Sequence, residues 1–444
     1  MGQKGLECHN LPMSRQGVDS RWIPDFELVR ELGGQFGTPL YVIDEGRFRQ
    51  RIREYRAAFS AADANGEITF ASKANSVLAV LKIAFLEGCL IDAASEGELR
   101  AAMAAGVPAN RCHLHGNNKS RAEIEFAISV GIGQIVVDNF DELSLLHEIG
   151  GEVEAILRLA PGVLPITNQK ISTGQQDTKF GFSIQDGAAE KAVVYCLEHG
   201  INLVGIHCHV GSQLLDPEAQ IAAGTIMAGF ARLMFEKHGF ECKILNVGGG
   251  RAVRYVHEEP VDLGDYCSRL VKGVRGALEG SGLDPKLVQE PGRALIAEAG
   301  VTIYRVGAIK EISVEGGKTK PYVVVDGGLA DNPRPAMYDA VYDAMAVSAD
   351  GRELGDLSSA RLSGRHCETD LLIDDVGMPN DLKSGDFVVV LTTGAYSSSM
   401  ASNYNRYPRP ATVLVRQDGR FDVVQQAEKF EDMLARERVP EDLK

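Results

Sequence analysis

The sequence predicts an α/β protein in which a (β/α)8 TIM barrel is joined to a discontinuous β-rich domain with a sandwich- or barrel-like sheet. Three observations carry this. Eight short apolar runs succeed one another between residues 68 and 293, each ending in glycine, polar or ionisable residues. Segments whose apolar residues recur at three- and four-residue spacing separate them. After Arg293 the pattern changes to β-rich runs joined by Gly, Asp and Pro turns.

The eight runs are ITFASK (68–73), CLIDAAS (89–95), CHLHGN (112–117), QIVVDN (134–139), AILRLAP (155–161), LVGIHCHVG (203–211), ILNVGGG (244–250) and LVQEPGR (287–293). They are apolar throughout, as strands of a parallel sheet covered on both faces must be. Segments such as SEGELRAAMAAG (95–106) and DELSLLHEIG (141–150) carry Ser or Asp caps with Glu downstream, which marks helix starts. Eight strand–helix units over roughly 225 residues match the size of a closed barrel. A doubly wound open sheet is the rival; it would gather its ligand at one switch point, whereas here nearly every run ends in polar residues.

Beyond Arg293, TIYRVGAIKEIS (302–313), KPYVVVDGG (320–328), DFVVVLTTGAY (386–396) and ATVLVRQ (411–417) read as strands. The early run TPLYVID (38–44) is also strand-like and precedes a helix beginning near Glu45, so it is expected to join the C-terminal sheet. The expected boundaries are 45–298 for the barrel, and 1–44 with 299–444 for the β-rich domain.

With 444 residues and 44% hydrophobic content the chain exceeds one ordinary core. Its 61 acidic against 46 basic residues give a net charge of −15, with no basic block, which argues against nucleic acid or an anionic membrane surface as partner. The N-terminal stretch lacks the apolar core of a signal peptide, and no apolar run approaches the roughly 18 residues of a membrane span. Eight cysteines without a C-x-x-C pair fit a reducing compartment. A cytoplasmic enzyme acting on a small molecule, with no structural metal, is the expectation.

The strand ends carry the chemistry. Gly248-Gly249-Gly250 ends the seventh run and Glu290-Pro291-Gly292-Arg293 the eighth, where barrels often build a phosphate site from closely approaching backbone N–H groups. Lys73 ends the first run and would project into the same mouth, where desolvation and cationic neighbours would activate it as a nucleophile. A nucleophilic lysine beside a phosphate cradle points to pyridoxal 5′-phosphate, and Glu290 then has the task of bonding the protonated pyridine nitrogen. A surface ion pair with Arg293 is the bland alternative for Glu290. His209 would stack on the ring and Ser212 would reach the phosphate. Two H-x-H pairs, His113/His115 and His207/His209, also have the spacing that puts two imidazoles on one strand face, as metal-dependent barrel hydrolases use.

Seven motifs, in order ASKAN, HCHVGSQ, NVGGG, EPGR, DNPRPAMY, HCET and GAYSSSMASNYN, resemble those of the fold-type III pyridoxal-phosphate decarboxylases, over about residues 25 to 416. The resemblance implies that Lys73 carries the cofactor and His209 stacks on it. Gly248, Gly249, Gly250, Ser212, Gly292, Arg293 and Tyr396 would hold the phosphate, with Glu290 at the ring nitrogen. It implies a homodimer in which Cys367 and Glu368 enter the site from the other subunit, with Cys367 as the proton donor and Lys73 as its alternative. The implied activity is decarboxylation of meso-2,6-diaminopimelate to lysine. Arg293, Arg334, Tyr338, Tyr396 and Glu368 would recognise the distal carboxylate and ammonium; the flanking Pro333 and Pro335 stiffen the backbone at Arg334.

Two departures from the family pattern lie near the substrate end. The family reads C-E-S-x-D, whereas CETD brings Asp370 one residue closer to Glu368, and Asn168-Gln169-Lys170 stands where a histidine-containing stretch is expected. They leave open another amino acid as substrate: ornithine, arginine or a carrier-bound one. A non-catalytic relative that binds cofactor or partner would be expected to lack Lys73 or Cys367; both are present.

Overall fold

The computed structural model describes residues 20–163, 178–313 and 319–444. The chain forms two compact units. One holds Phe48–Val253 and Glu258–Ile296; the other holds the stretch up to Arg47, Arg254–His257 and Ala297–Lys444.

In the first unit, eight parallel strands run in chain order: β2 (Glu67–Ala71), β3 (Leu90–Ala93), β4 (Cys112–Leu114), β5 (Gln134–Val137), β6 (Glu154–Ala160), β7 (Leu203–His207), β8 (Ile244–Asn246) and β9 (Lys286–Gln289). Each pairs with the next, and β9 pairs with β2, so the sheet closes into a barrel. A two-residue strand, Phe182–Ser183, is appended to β6. Every residue of β3, β4 and β5 is buried, which is why these strands are apolar runs and not alternating ones. Closure puts all eight strand ends around one mouth.

Helix starts follow the capping signals with one difference. Ser95 accepts from the Glu98 amide, and Ser120 and Glu123 form a reciprocal capping box. In the segment read from Asp141, however, the helix is Phe140–Ile149 and its cap is Asn139, which accepts from Glu142 N; Asp141 lies inside the first turn. Asn and Asp serve equally as caps, so the sequence placed the start two residues late.

In the second unit, β1 (Leu40–Asp44) runs antiparallel to β10 (Gly300–Ser313) and parallel to β16 (Ala411–Val415). The 14-residue β10 is shared: its first half pairs with β1 and with β15 (Phe387–Val390), and its second half with β11 (Thr319–Val325) after a register shift between Val306 and Ala308. Beyond β11 lie β13 (Leu357–Ser363) and β14 (Leu371–Pro379); β12 (Ala344–Val347) pairs with β15, and β17 (Phe421–Gln425) with β16. Helix Phe26–Phe36 lays Val29 and Leu32 on a core with Leu40, Val42, Ile303 and Val389. The DNPRPAMY stretch contains a short helix, Arg334–Tyr338, with proline in its first turn. Among the described residues, no helix is long and apolar enough to cross a membrane.

Candidate active site

Strand β2 stops at Ala71, so Lys73 does not end the strand; it sits in the 3-10 turn Ser72–Ala74 that follows. Ser72 and Ala74 are buried, whereas Lys73 is exposed, so the desolvation anticipated for it is not imposed by its surroundings. The turn is fixed from the next strand end: Glu98 Oε2 accepts from Ser72 Oγ and from Ala94 N, both at 2.7 Å.

Glu290, just past β9, is buried and is not the surface partner of Arg293 that the bland reading supposed. Its Oε2 lies 3.1 Å from His207 Nε2, while Oε1 accepts from Asn246 Nδ2 at 2.7 Å and lies 3.1 Å from His115 Nε2. His115 is also 3.5 Å from Asp92 Oδ1. Burial works to raise the Glu290 pKa, but the attraction and hydrogen bonding of His115 and His207 win, and the carboxyl is held well below its usual range. The same balance raises His115 despite its desolvation. Desolvation depresses His207 to about 4 and His113 to about 3 and lifts Asp92 to about 6. At neutral pH the centre is therefore a carboxylate facing a neutral His207 and a His115 whose protonated form Asp92 and Glu290 favour.

The two H-x-H pairs do not act as pairs. Strand β4 ends at Leu114 and β7 at His207, so the second histidine of each pair lies beyond the pleat that would align it with the first. One member from each, His115 and His207, instead meets Glu290, with ligand atoms all within 4.8 Å.

His209 is half-buried, and desolvation, with the charges of Lys73 and Arg158, drives its pKa well below the usual value, so its ring is neutral. It lies against the glycine turn, since a Cβ on Gly248 would come within 3.1 Å of His209 Nδ1 and collide with the Cys208 carbonyl. Gly248 and Gly250 have φ of 66° and 136°, the region that favours glycine. Gly249 packs so closely on the Glu290 carbonyl that a side chain there has no room. Gln220 Nε2 donates to the carbonyls of Val247 and Gly248 at 2.9 and 3.2 Å and holds the turn from behind. Arg293 is buried and donates from Nε and Nη2 to Ser212 Oγ at 3.1 and 3.0 Å. Gly292 packs on the lysine turn, where a Cβ would approach Ala74 Cβ to 2.9 Å.

The remaining expected residues lie in the second unit. Arg334 is buried, donates to Tyr342 Oη at 2.5 Å, and has its guanidinium 4.9 and 5.5 Å from the ring centroids of Tyr255 and Tyr342. Burial works against its charge, but the adjoining tyrosines Tyr255 and Tyr342 more than compensate and keep it protonated. Tyr338 closes the same short helix. Tyr396 is half-buried with a φ of 60°, rare for a non-glycine residue. Cys367 and Glu368 are exposed at the tip of the turn between β13 and β14, and Tyr404 Oη donates to Glu368 Oε1 at 2.5 Å. Among the described cysteines Cys367 alone is exposed; the other six are buried. The Asn168-Gln169-Lys170 departure lies outside the described residues.

Residues 45–297 match the model of the pyridoxal-binding domain of pyridoxal-dependent decarboxylases. The chain belongs to the pyridoxal-dependent decarboxylase family. It is 42% identical over 419 residues to a diaminopimelate decarboxylase of Bacillus subtilis, covering 91% of this chain and 92% of the relative. Among solved structures it matches diaminopimelate decarboxylase from M. jannaschii in co-complex with L-lysine, with a TM-score of 0.84, 32% identity, and coverage of 94% and 95%. It also matches a lysine/ornithine decarboxylase from Vibrio vulnificus complexed with putrescine, with a TM-score of 0.73, 26% identity, and coverage of 88% and 97%.

As a pyridoxal-dependent decarboxylase the chain uses pyridoxal phosphate, and the chemistry of the barrel mouth fits that molecule. It offers a primary amine at Lys73 for an aldehyde, the Arg293–Ser212 donor pair and tight glycine turns for a phosphate, and at Glu290 an ionised carboxylate for a basic ring nitrogen. Sequence reasoning missed Asp92, Asn246 and Arg158 among the residues around Glu290, and read His115 only as half of an H-x-H pair. Arg158 sits 3.6 Å from Asp138 Oδ1 with its guanidinium 4.2 Å from the Phe180 ring centroid. The signal was present, since CLIDAAS, AILRLAP and ILNVGGG each set one polar side chain inside an apolar strand.

Proposed function

We propose that this chain decarboxylates meso-2,6-diaminopimelate to L-lysine and carbon dioxide. The observation that carries the reading is its 42% identity to a diaminopimelate decarboxylase along 92% of that relative. The buried, charged Arg334 adds support, because a substrate with a second carboxylate needs a cation at its far end.

Bound pyridoxal phosphate supplies the electron sink that lets carbon dioxide leave Cα. The protein's residues do the rest. Lys73 would supply the primary amine that holds the cofactor's aldehyde. The Glu290 carboxylate, fixed by Asn246 and His207 and balanced by His115, would be the group that favours a proton on the ring nitrogen. His209, with its neutral ring, would be the residue that lies against the cofactor, where a cation would compete with the cofactor's own charge. Ser212, Arg293, Gly248 to Gly250, Gly292 and Tyr396 hold the phosphate. Arg334, Tyr338, Arg293 and Tyr396 bind the distal end, Glu368 takes the distal ammonium, and the Cys367 thiol returns a proton to Cα, with the Lys73 amine as second donor.

In this reading the enzyme works as a homodimer, each copy lending Cys367 and Glu368 to the other's site, in the cytoplasm. The test is incubation of the purified protein with pyridoxal phosphate and meso-diaminopimelate, with ornithine, arginine and lysine in parallel. Lysine formation from diaminopimelate alone is the expected result; cofactor-loaded protein that yields no lysine rules the reading out.

A further inference from the structure

The turn that presents Cys367 is built unlike an ordinary exposed loop. Its tip, Cys367, Glu368 and Thr369, is exposed, yet the residues on either side, His366 and Asp370, are buried. These two close the base of the turn. Asp370 Oδ2 accepts from His366 N at 2.9 Å and pairs with His366 Nδ1 at 2.6 Å, while Oδ1 accepts from Leu329 N at 2.6 Å. The Asp370 carbonyl accepts from Gly364 N at 2.8 Å and from Ser363 Oγ at 3.1 Å. Space for the carboxylate comes from two glycines, since a methyl on Gly328 or Gly364 would run into it. Asp370 itself adopts φ 44°, a conformation that an aspartate tolerates but that few residues would supply unprompted.

A second set of contacts grips the tip from the segment 403–407. Asn405 Oδ1 accepts from Cys367 N at 2.9 Å, and Tyr404 Oη donates to Glu368. Asn405 and Arg406 both hold left-handed φ, 52° and 59°, to bring these groups round. The His366 ring packs edge-on to Tyr407 at 5.1 Å and stacks with Tyr404 at 6.1 Å. The Cys367 backbone is thus fixed on both sides and at its own amide, which leaves the thiol little freedom beyond χ1.

We propose that Asp370, acting through His366, and Asn405 are positioning residues that set the direction and reach of the Cys367 thiol for proton delivery. The single-residue shortening in CETD gains a purpose: it puts His366 and Asp370 four residues apart and leaves a three-residue tip. The inference rests on Cys367 as the donor. In that step the C–H bond at Cα forms with the electron pair left by departing carbon dioxide, the S–H bond breaks, and solvent returns the proton to the thiolate.

The experiment compares the cofactor-loaded parent with Asp370→Asn, Gly364→Ala, Asn405→Ala and Asn405→Asp. Three quantities are read: iodoacetamide alkylation at Cys367 by peptide mass mapping, the stereochemistry of deuterium placed on the decarboxylated carbon in D2O, and the split between kcat and KM. Asp370→Asn, Gly364→Ala and Asn405→Ala should change the alkylation rate at least about threefold, scramble the deuterium and lower kcat about 10–100-fold, with KM nearly constant. Asn405→Asp keeps the acceptor for Cys367 N and should return towards the parent on all three. Folded variants with parental alkylation and parental deuterium stereochemistry overturn the proposal. Because Asn405 lies on an exposed segment, its variants decide the matter should the buried ones fail to fold. A Cys367→Ala enzyme of undiminished kcat and stereochemistry would strike the donor reading itself, while the alkylation rates still decide the positioning.

Discussion

Replacing Glu290 by Gln removes one charge and almost no volume from the barrel mouth. Glu290 has three polar contacts, at 2.7 Å with Asn246 and 3.1 Å each with His207 and His115, and all four side chains are buried. An amide can accept from only one of its two atoms, so one donor of the set faces an N–H₂ group, and His115 keeps only Asp92, at 3.5 Å, as counter-charge. Removing one member of a buried pair costs about 3–5 kcal/mol when the other cannot relax. The cost is softened because, without the Glu290 charge, His115 has less cause to hold a proton, which brings the expected cost to about 2–3 kcal/mol. For a domain of this size that corresponds to a fall in melting temperature of about 4–12 °C. In catalysis the loss of the carboxylate at the ring nitrogen should lower kcat by at least about 100-fold. Calorimetry and steady-state kinetics on the cofactor-loaded variant read both. A Glu290→Gln enzyme that melts within a degree of the parent and retains its kcat would refute the ionised-carboxylate account.

Further outcomes follow from the same contacts. Arg334→Lys keeps the charge but loses the planar stack on Tyr255 and Tyr342, so kcat/KM for meso-diaminopimelate should fall about 30–150-fold, the equivalent of about 2–3 kcal/mol, chiefly through KM. Gly249→Ala drives a methyl into the Glu290 carbonyl, and fluorescence titration should show pyridoxal phosphate affinity reduced at least about tenfold. Asp331 is raised by burial to about 7, against about 3.9 in the unfolded chain. The native state therefore binds the extra proton between these values, and its stability falls as pH rises through that window. Denaturant unfolding of the parent and Asp331→Asn at pH 5 and pH 7 should show the parent's stability relative to the variant declining by about 2 kcal/mol across the two units; a constant difference would contradict a protonated Asp331.

What the sequence made legible, and what it hid, divides along sequence distance. The barrel strands were readable because burial on both faces makes each a continuous apolar run, as in QIVV, and because polar residues mark where each run leaves the sheet. Lys73 and Glu290 were singled out by local contrast, a charge at the end of an apolar run. The surroundings of Glu290 were not readable: His115, His207 and Asn246 come from three other strand ends, and only closure of the barrel gathers them. The same cause undid the metal-site pairing, which treated each H-x-H as a unit within one strand when the contacts run between strands. The exposure of Lys73 was also hidden, because a 3-10 turn after Ala71 replaces the last strand residues. The clasp of Asp370 on His366 showed in the sequence only as an irregular spacing.

The whole account turns on which side chain bears the cofactor. Reduction of the loaded protein with borohydride, followed by proteolysis and mass mapping, should place a single pyridoxyl group on the peptide containing Lys73. A reduced adduct on any other residue, or none, would contradict it.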